Sequence, residues 1–374
     1  MRIEELSLSS FRNYSACDIA FSPGVNVIYG ENAQGKTNLL EAVFFLSAMR
    51  PIRSNSQKDV IRLFDDGAEI GAKVISNGRE LSISARVPRN SRVSVEVNGV
   101  RIKKNEQYLG LVRTVLFSPD DLEIIKGGPA LRRRFLNTAI VQLRPMYYRY
   151  LSEYQRLYTH KTRILKDSEE KPDLLSVLDE FSFAMARVAA AMIKYRASFC
   201  IEAEKRAGEA YFEISGGRER MTVKYKTVST VTDPFDVKKT EGELLEHYLS
   251  HKNAEIATRS CLSGVHKDDL MIEIDGRDAR AFASQGQIRT AALALKLAER
   301  EVFFDDAKEY PILLLDDVLS ELDEMRQSFV LNRIDGGQVI ITGTEKEKMS
   351  KIVRGKRFEI KNGALIYEEC AGGI

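Results

Sequence analysis

Thr37 and Asp316 stand 279 residues apart, yet the stretches around them carry two halves of one chemistry, so any fold of this chain has to bring them together. The first stretch is a buried-type strand at residues 25–29. It continues through Gly30, Glu31, Asn32, Ala33, Gln34, Gly35, Lys36 and Thr37 and opens a helix carrying Leu39, Leu40, Val43, Phe44 and Leu46. This is the G-x-x-x-x-G-K-[ST] loop in its strand, loop, helix context. Its glycines let backbone N–H groups wrap a triphosphate, the helix N-terminus adds partial positive charge, and Lys36 reaches the β- and γ-phosphates. Thr37 is the expected Mg²⁺ ligand, and the nucleotide-contacting stretch extends through Asn38. The second stretch, residues 312–315 followed by Asp316 and Asp317, is an apolar strand that delivers carboxylates at its C-terminal end, where open α/β sheets bind ligands. Asp316 is expected in the Mg²⁺ shell, and Asp317 is expected to orient or deprotonate the attacking water. Their distance from the loop is far beyond a compact kinase or GTPase, and no N-K-x-D guanine reader is present.

The intervening residues change period twice. Up to about residue 120 the chain reads as short strands with Gly and Asn turns, including a hairpin signal at Asn98-Gly99 between Val-rich runs. Ile140, Leu143, Tyr147, Tyr150, Tyr154, Leu157, Lys161 and Ile164 then form one heptad seam, and Leu174, Leu178, Phe181, Met185, Val188, Met192, Tyr195 and Phe199 a second. The polar breaker at residues 167–173 predicts an antiparallel helical hairpin about 35 Å long, with a helix starting near Pro145. A capping-box spacing at Thr240 to Glu243 predicts a third helix running toward Cys261. Strands at 270–274, 312–315 and 338–342 and a helix at 285–304 restore α/β character. The expected fold is α/β: a P-loop ATPase head interrupted by a helical lobe and a short antiparallel coiled-coil arm. The segments are 1–122 (first part of the ATPase lobe), 123–304 (helical lobe with arm) and 305–374 (second part of the ATPase lobe).

Composition narrows the setting. With 374 residues, 44% hydrophobic and 29% charged, the chain has enough core to fold without disulfides, and its four cysteines lie far apart with no C-x-x-C. No apolar leader core and no apolar run approaching the roughly 20 residues of a membrane span are present, so a reducing cytoplasm and no membrane are expected. The 56 Lys and Arg nearly cancel the 54 Asp and Glu, but they are segregated. Residues 126–166 hold ten cations against Glu153 alone, interleaved with tyrosines, whereas residues 301–324 hold nine acids against Lys308. The basic block has the footprint of a nucleic-acid surface, with Arg132, Arg133, Arg134, Arg144 and Arg149 as candidates and Arg50 and Arg53 as further ones. The seam tyrosines are assigned to the core. His247 and His251 lack a third ligand for a metal, and His266 has no assigned role.

Ser284, Gln285, Gly286 and Gln287 open the helix that precedes the carboxylate strand, a second anion-binding N-terminus. With Ser320 to Asp323 just after that strand, the cluster resembles the signature motif of ABC-type ATPases. Together with Phe11-Arg12-Asn13-Tyr14, the loop G-E-N-A-Q-G-K-T-N-L-L-E-A, Phe117 to Leu122, Arg132 to Leu136, Gly264 to Leu270 and Leu315 to Asp323, it makes the whole chain similar, in order, to the RecF family of bacterial DNA replication and repair proteins, relatives of SMC and Rad50 heads.

That resemblance implies an ATP-dependent homodimer on single- and double-stranded DNA at gaps or junctions. ATP on Lys36 of one copy would be completed by Ser284, Gly286 and Gln287 of the other, with Ser320 and Asp323 at the same interface. It implies weak, DNA-dependent ATP hydrolysis with Mg²⁺, partnership with RecO and RecR in loading RecA, and a part in SOS induction. Asp317 replaces the usual catalytic Glu, which shortens the reach to water and predicts slow turnover. Thr342, Gly343 and Thr344 stand where many relatives place a His, and Ser118, Pro119 and Asp120 where a glutamine loop is expected. A transporter nucleotide-binding subunit is disfavoured by the arm and the basic block, and a Rad50-like nuclease regulator by the short arm without zinc-hook cysteines.

Overall fold

The computed structural model describes residues 1–54, 56–334, 336–344 and 355–371; of the segment 305–374, residues 335, 345–354 and 372–374 lie outside the described residues. The central sheet runs in the order Ala364–Ala371, Gly355–Lys361, Val25–Tyr29, Val339–Gly343, Ile312–Asp316, Thr114–Phe117. From Gly355–Lys361 onward the pairing is parallel. Strands that are parallel and covered on both faces need near-continuous apolar runs, which is what I-L-L-L and V-I-I supply. Val27, Leu313, Leu315 and Ile341 join the core on the helical side, whereas Ile28, Leu314 and Ile340 join the core under the N-terminal lobe. One strand separates Val25–Tyr29 from Ile312–Asp316, so the loop after the first and the carboxylates after the second emerge at the same edge.

An antiparallel sheet, ordered Tyr14–Ala20, Arg2–Phe11, Gly67–Ser76, Arg79–Pro88, Ser94–Val97, Val100–Arg101, covers the N-terminal side. Asn98 and Gly99 take φ values of 51° and 76°, the two left-handed residues that the expected hairpin turn requires. Helix Lys36–Ala48 buries ten of its residues between this lobe and the central sheet.

The seams form the expected arm, with one interruption. Residues 140 and 143 end helix Pro129–Leu143, and Pro145 occupies the first turn of helix Pro145–Asp167, which the proline starts because its missing N–H costs nothing there. That helix, about 35 Å long, lies against Leu178–Ile214. Tyr147, Tyr154, Met185, Val188 and Met192 are buried along the seam, so these tyrosines are core and not stacking platforms. The capping-box expectation at Thr240 fails. Helix Val237–Ser250 starts earlier, capped by Asp236 accepting from the Lys239 N–H at 3.0 Å, and Thr240 is buried inside it, donating to the Asp233 carbonyl. A break at His251 separates it from Lys252–Thr258.

The turn before Asp269–Ile274 joins arm to body. Asp268 is buried and accepts from Arg196 Nη1 at 2.6 Å, from Thr227 Oγ1 at 2.8 Å and from the Tyr225 hydroxyl. Beside it, His266 Nδ1 lies 2.8 Å from the Tyr154 hydroxyl and its Nε2 faces the Cys261 carbonyl, an arrangement that suits the neutral ring. Burial pushes the His266 pKa down to about 4, with Lys267, Arg133 and Lys161 adding to the effect against the Cys261 hydrogen bond. Between about pH 6.5 and about 4 the unfolded chain therefore binds a proton that the folded chain refuses. Stability is complete above that window and falls as pH is lowered through it, by up to about 3 kcal/mol. Urea midpoints at pH 7.5 and 5.0 should accordingly differ less in a His266→Gln protein than in the wild type; equal differences would assign the ring no such role.

Candidate nucleotide site

The loop at residues 30–37 is shaped by contacts that leave no room for side chains. Gly30 has φ 152°, and a Cβ there would lie 2.4 Å from the Ile360 carbonyl oxygen. Gly35 has φ 116°, and its Cβ would strike the Asn13 amide at 2.7 Å. The segment Phe11 to Tyr14 grips the loop. Asn13 Nδ2 donates to the Gln34 carbonyl at 2.9 Å while Asn13 Oδ1 accepts from Asn38 Nδ2 at 2.8 Å, the Tyr14 hydroxyl donates to the Gly35 carbonyl, and Arg12 pairs with Glu41 at 2.6 Å. From the other side, the Gly363 N–H donates to the Gln34 carbonyl, and the Asn362 N–H to its side-chain oxygen. Glu31, Asn32 and Ala33 remain exposed at the tip. The one signal of this clamp in the sequence is the polar Arg12-Asn13 pair at the end of an otherwise alternating strand.

Lys36 Nζ lies across the loop, donating to the Gly30 and Glu31 carbonyls at 2.6 and 2.7 Å. Burial lowers its pKa, and the nearby Asp317 and Asp316 carboxylates oppose that shift. Asp316 is buried at the centre of the edge. Its Oδ1 accepts from Thr37 Oγ1 and from Thr342 Oγ1, each at 2.8 Å. Thr342 in turn accepts from the Asp317 N–H at 3.0 Å, so it ties the two aspartates together. Asp317 has φ 54° and caps the turn Val318–Glu321; Ser320 Oγ donates to its carbonyl at 2.7 Å and lies 3.1 Å from its carboxylate. Arg53 bridges the edge to residues 118–120, with Asp120 at 3.5 Å and Asp316 at 3.9 Å.

The helix cap expected as a second anion site lies elsewhere. Ser284 caps helix Gln285–Ala307 in a reciprocal box with Gln287: the Ser284 N–H donates to Gln287 Oε1 at 2.8 Å, and Ser284 Oγ accepts from the Gln287 N–H at 3.3 Å. The Gln287 side chain also donates to Glu219, so it is committed internally and contributes by orienting the cap. Ser284 and Gln285 are exposed. Arg326, which sequence reading missed, joins this cap to the next motif. It donates to Thr290 Oγ1 at 2.9 Å and to the Gly286 carbonyl at 3.3 Å, and pairs with Asp323. Among the described residues, no hydrogen bond or ion pair links residues 284–287 to residues 30–38.

Part of the basic block is engaged within the molecule, which corrects several candidates. Arg132 is 5% exposed and grips Asp269 with two hydrogen bonds of 2.6 and 3.0 Å, leaving nothing for a phosphate. Lys161 is buried against Glu255 at 2.7 Å, and Arg144 pairs with Asp306 at 2.6 Å. Arg133 donates to the Asp268 carbonyl at 2.8 Å, Arg134 to that of Ile52, and Arg50 to Thr138 beneath the lobe interface, where burial holds its pKa down at about 10. Arg53 belongs to the Asp316 edge. Arg149 alone of the named candidates is exposed with no ion pair among the described residues, as are Arg156 and Lys166 farther along the same helix.

No helix among the described residues is long and apolar enough to cross a membrane. Residues 2–364 match the family described as RecF/RecN/SMC N terminal domain. The chain is 38% identical over 370 residues to the DNA replication and repair protein RecF of Bacillus subtilis (strain 168), covering 98% of this chain and all of that one, and 37% identical to the RecF of Bacillus velezensis. Among solved structures it is similar to the recombination mediator protein RecF with ATP (TM-score 0.90, 33% identity, 97% and 96% of the two chains covered). It shares only its fold with an Smc head domain of Pyrococcus furiosus (TM-score 0.57, 18% identity, 98% and 96% covered). The SMC-type ATPase head, the loop at its edge and this likeness along the full length lead to one conclusion: the chain belongs to the RecF family of DNA replication and repair proteins.

Proposed function

We propose that this chain is an ATP-dependent DNA-binding ATPase whose nucleotide sites are completed between two copies. The observation that carries the reading is the split just described: Lys36, Thr37, Asp316 and Asp317 share one edge, while the Ser284 cap has no bonded connection to it. Residues 1–122 with 305–374 then act as the nucleotide lobe, and 123–304 as the lobe presenting the cap to the other copy. In the cap, the Ser284 hydroxyl proton and the N–H groups of Gln285 and Gly286 are the donors turned outward, at the positive end of a 23-residue helix. Arg326 holds Asp323 against this cap, so both motifs approach a partner as one surface.

Within one edge, the loop amides and Lys36 bind the triphosphate, and Asp317 orients the attacking water. Thr37 Oγ1 and Asp316 Oδ1, hard oxygen donors 2.8 Å apart, suit Mg²⁺, which when bound would neutralise charge on the β- and γ-phosphates. Loss of the γ-phosphate removes the contacts shared between copies and releases the pair, an order-to-disorder switch. The likeness to RecF-ATP in the RecFOR pathway supports action at gaps and single-strand/double-strand junctions, with RecO and RecR as partners in loading RecA, and a part in SOS induction. The reading is tested by duplex binding in ATP, in ADP and without nucleotide: ATP should tighten it about tenfold or more, and equal affinities in all three would overturn it.

A further inference from the structure

Besides Arg149, Arg156 and Lys166 on the arm, unpaired positive charge also gathers on the N-terminal lobe. A cleft of about 680 Å³ opens there between the end of helix Lys36–Ala48 and the rim of the antiparallel sheet, lined by Lys58, Arg92 and Lys103 with the neutral donors Gln57, Asn90 and Asn105. No Asp or Glu lines it, and among the described residues none of the three cations has a hydrogen-bond or ion-pair partner. The nearest acids in sequence, Asp59 and Glu106 and then Asp65 and Asp66, are outside the lining, and Asp65 pairs with Arg62 at 3.6 Å. The floor is fixed: Gln57 Nε2 donates to the Met49 carbonyl at 2.5 Å, and the Tyr108 hydroxyl donates to that of Leu46. Two of the carbonyls at this helix end, which would repel an anion, are thereby engaged.

Beside the rim stands an apolar tip. Arg89 donates to the Asp65 carbonyl at 3.0 Å and anchors the turn in which Leu63 is 72% and Phe64 91% exposed. Phe64 has φ 72°, a conformation that is strained for an aromatic residue, and no burial of the ring offsets it.

We propose that this cleft takes the phosphate backbone of DNA and that the Leu63-Phe64 tip packs against a sugar or base face of the same strand. The inference rests on the DNA-binding reading above and gives it a place. Lys and Arg alternating with amide donors match contacts to phosphate and sugar, and an exposed ring next to them matches stacking on an unpaired or opened base. A free inorganic phosphate would need only one cation, and an acidic peptide has no use for an exposed aromatic ring held at positive φ. The cleft and the nucleotide loop also lie at opposite ends of one 13-residue helix, about 20 Å apart.

The test is fluorescence anisotropy of a labelled duplex with a single-stranded extension, with ATP, over a series of KCl concentrations. The Lys58→Ala/Arg92→Ala/Lys103→Ala protein should bind about 10- to 100-fold more weakly at low salt, with the slope of log K against log salt shallower by about 2 to 3. Phe64→Ala should weaken binding about 5- to 100-fold and leave the slope unchanged. Both proteins should bind a fluorescent ATP analogue as the wild type does, which reports an intact head. Wild-type binding with an unchanged slope in the triple variant, while Arg149→Ala/Arg156→Ala takes the loss, would place the backbone on the arm and overturn the cleft. Unchanged affinity in Phe64→Ala would overturn the tip, and a wild type that does not bind DNA would sink the underlying reading.

Discussion

Gly286→Arg protein should stay monomeric in ATP while keeping the thermal stability and nucleotide binding of the wild type. The expectation follows from what surrounds this glycine. A Cβ added there meets only the Arg326 Nη2, at 3.6 Å, and Gly286 is not among the residues with positive φ. Nothing in the chain itself requires a glycine, in contrast to Gly30 and Gly35, whose absent side chains are demanded by Ile360 and Asn13. Internal packing leaves the position open, and the outward donors beside it are free to meet a phosphate carried by a second copy. An arginine side chain there has space to extend outward, so the head folds, but it occupies the path of the partner. ATP-dependent association should weaken about 100-fold or more, read by light scattering with thermal melts as the control. Wild-type association would remove the cap from the interface, and a large drop in melting temperature would assign the glycine to packing instead.

Asp317→Asn should have the opposite signature: hydrolysis lowered about 10²- to 10⁴-fold, with a longer-lived ATP dimer. Asp317 sits at φ 54°, a conformation that Asn adopts readily, and its N–H to Thr342 and its contact with Ser320 do not depend on the carboxylate charge. The substitution therefore keeps the edge in shape and removes the group proposed to orient water. Asp316 differs, because its Oδ1 receives both Thr37 and Thr342 and its loss would disturb the loop and Asp317 together. Single-turnover phosphate release and dimer lifetime measured on Asp317→Asn protein separate the two roles; unchanged turnover would show that water is oriented by another group.

Local chemistry was legible in the sequence wherever backbone and side-chain needs coincide within a few residues. The strand, loop and helix around Lys36, the apolar strand ending in Asp316 and Asp317, the arm seams and the Asn98-Gly99 turn all follow from period, glycine placement and carboxylate position. Charge was not legible in the same way. The ten cations in residues 126–166 lacked acids nearby in sequence, but Arg132 finds Asp269 and Lys161 finds Glu255 across the fold, so a basic block reads as surface until the chain closes on it. Arg326 and Asn13 were missed for the same reason: each acts on a loop distant in sequence. At Thr240 the capping spacing was present, but Asp236 lies four residues earlier and captures the helix start, leaving the threonine buried.

The central claim is that a triphosphate is held jointly by Lys36 of one copy and the Ser284 to Gln287 cap of another. Its most direct test is light scattering on an equimolar mixture of Lys36→Ala and Gly286→Arg proteins in ATP. Each alone should remain a monomer, whereas the mixture should form a dimer, because one of its two sites combines the intact Lys36 of the second protein with the intact cap of the first. A mixture that stays as monomeric as its components, under conditions where the wild type dimerises, would contradict the shared site.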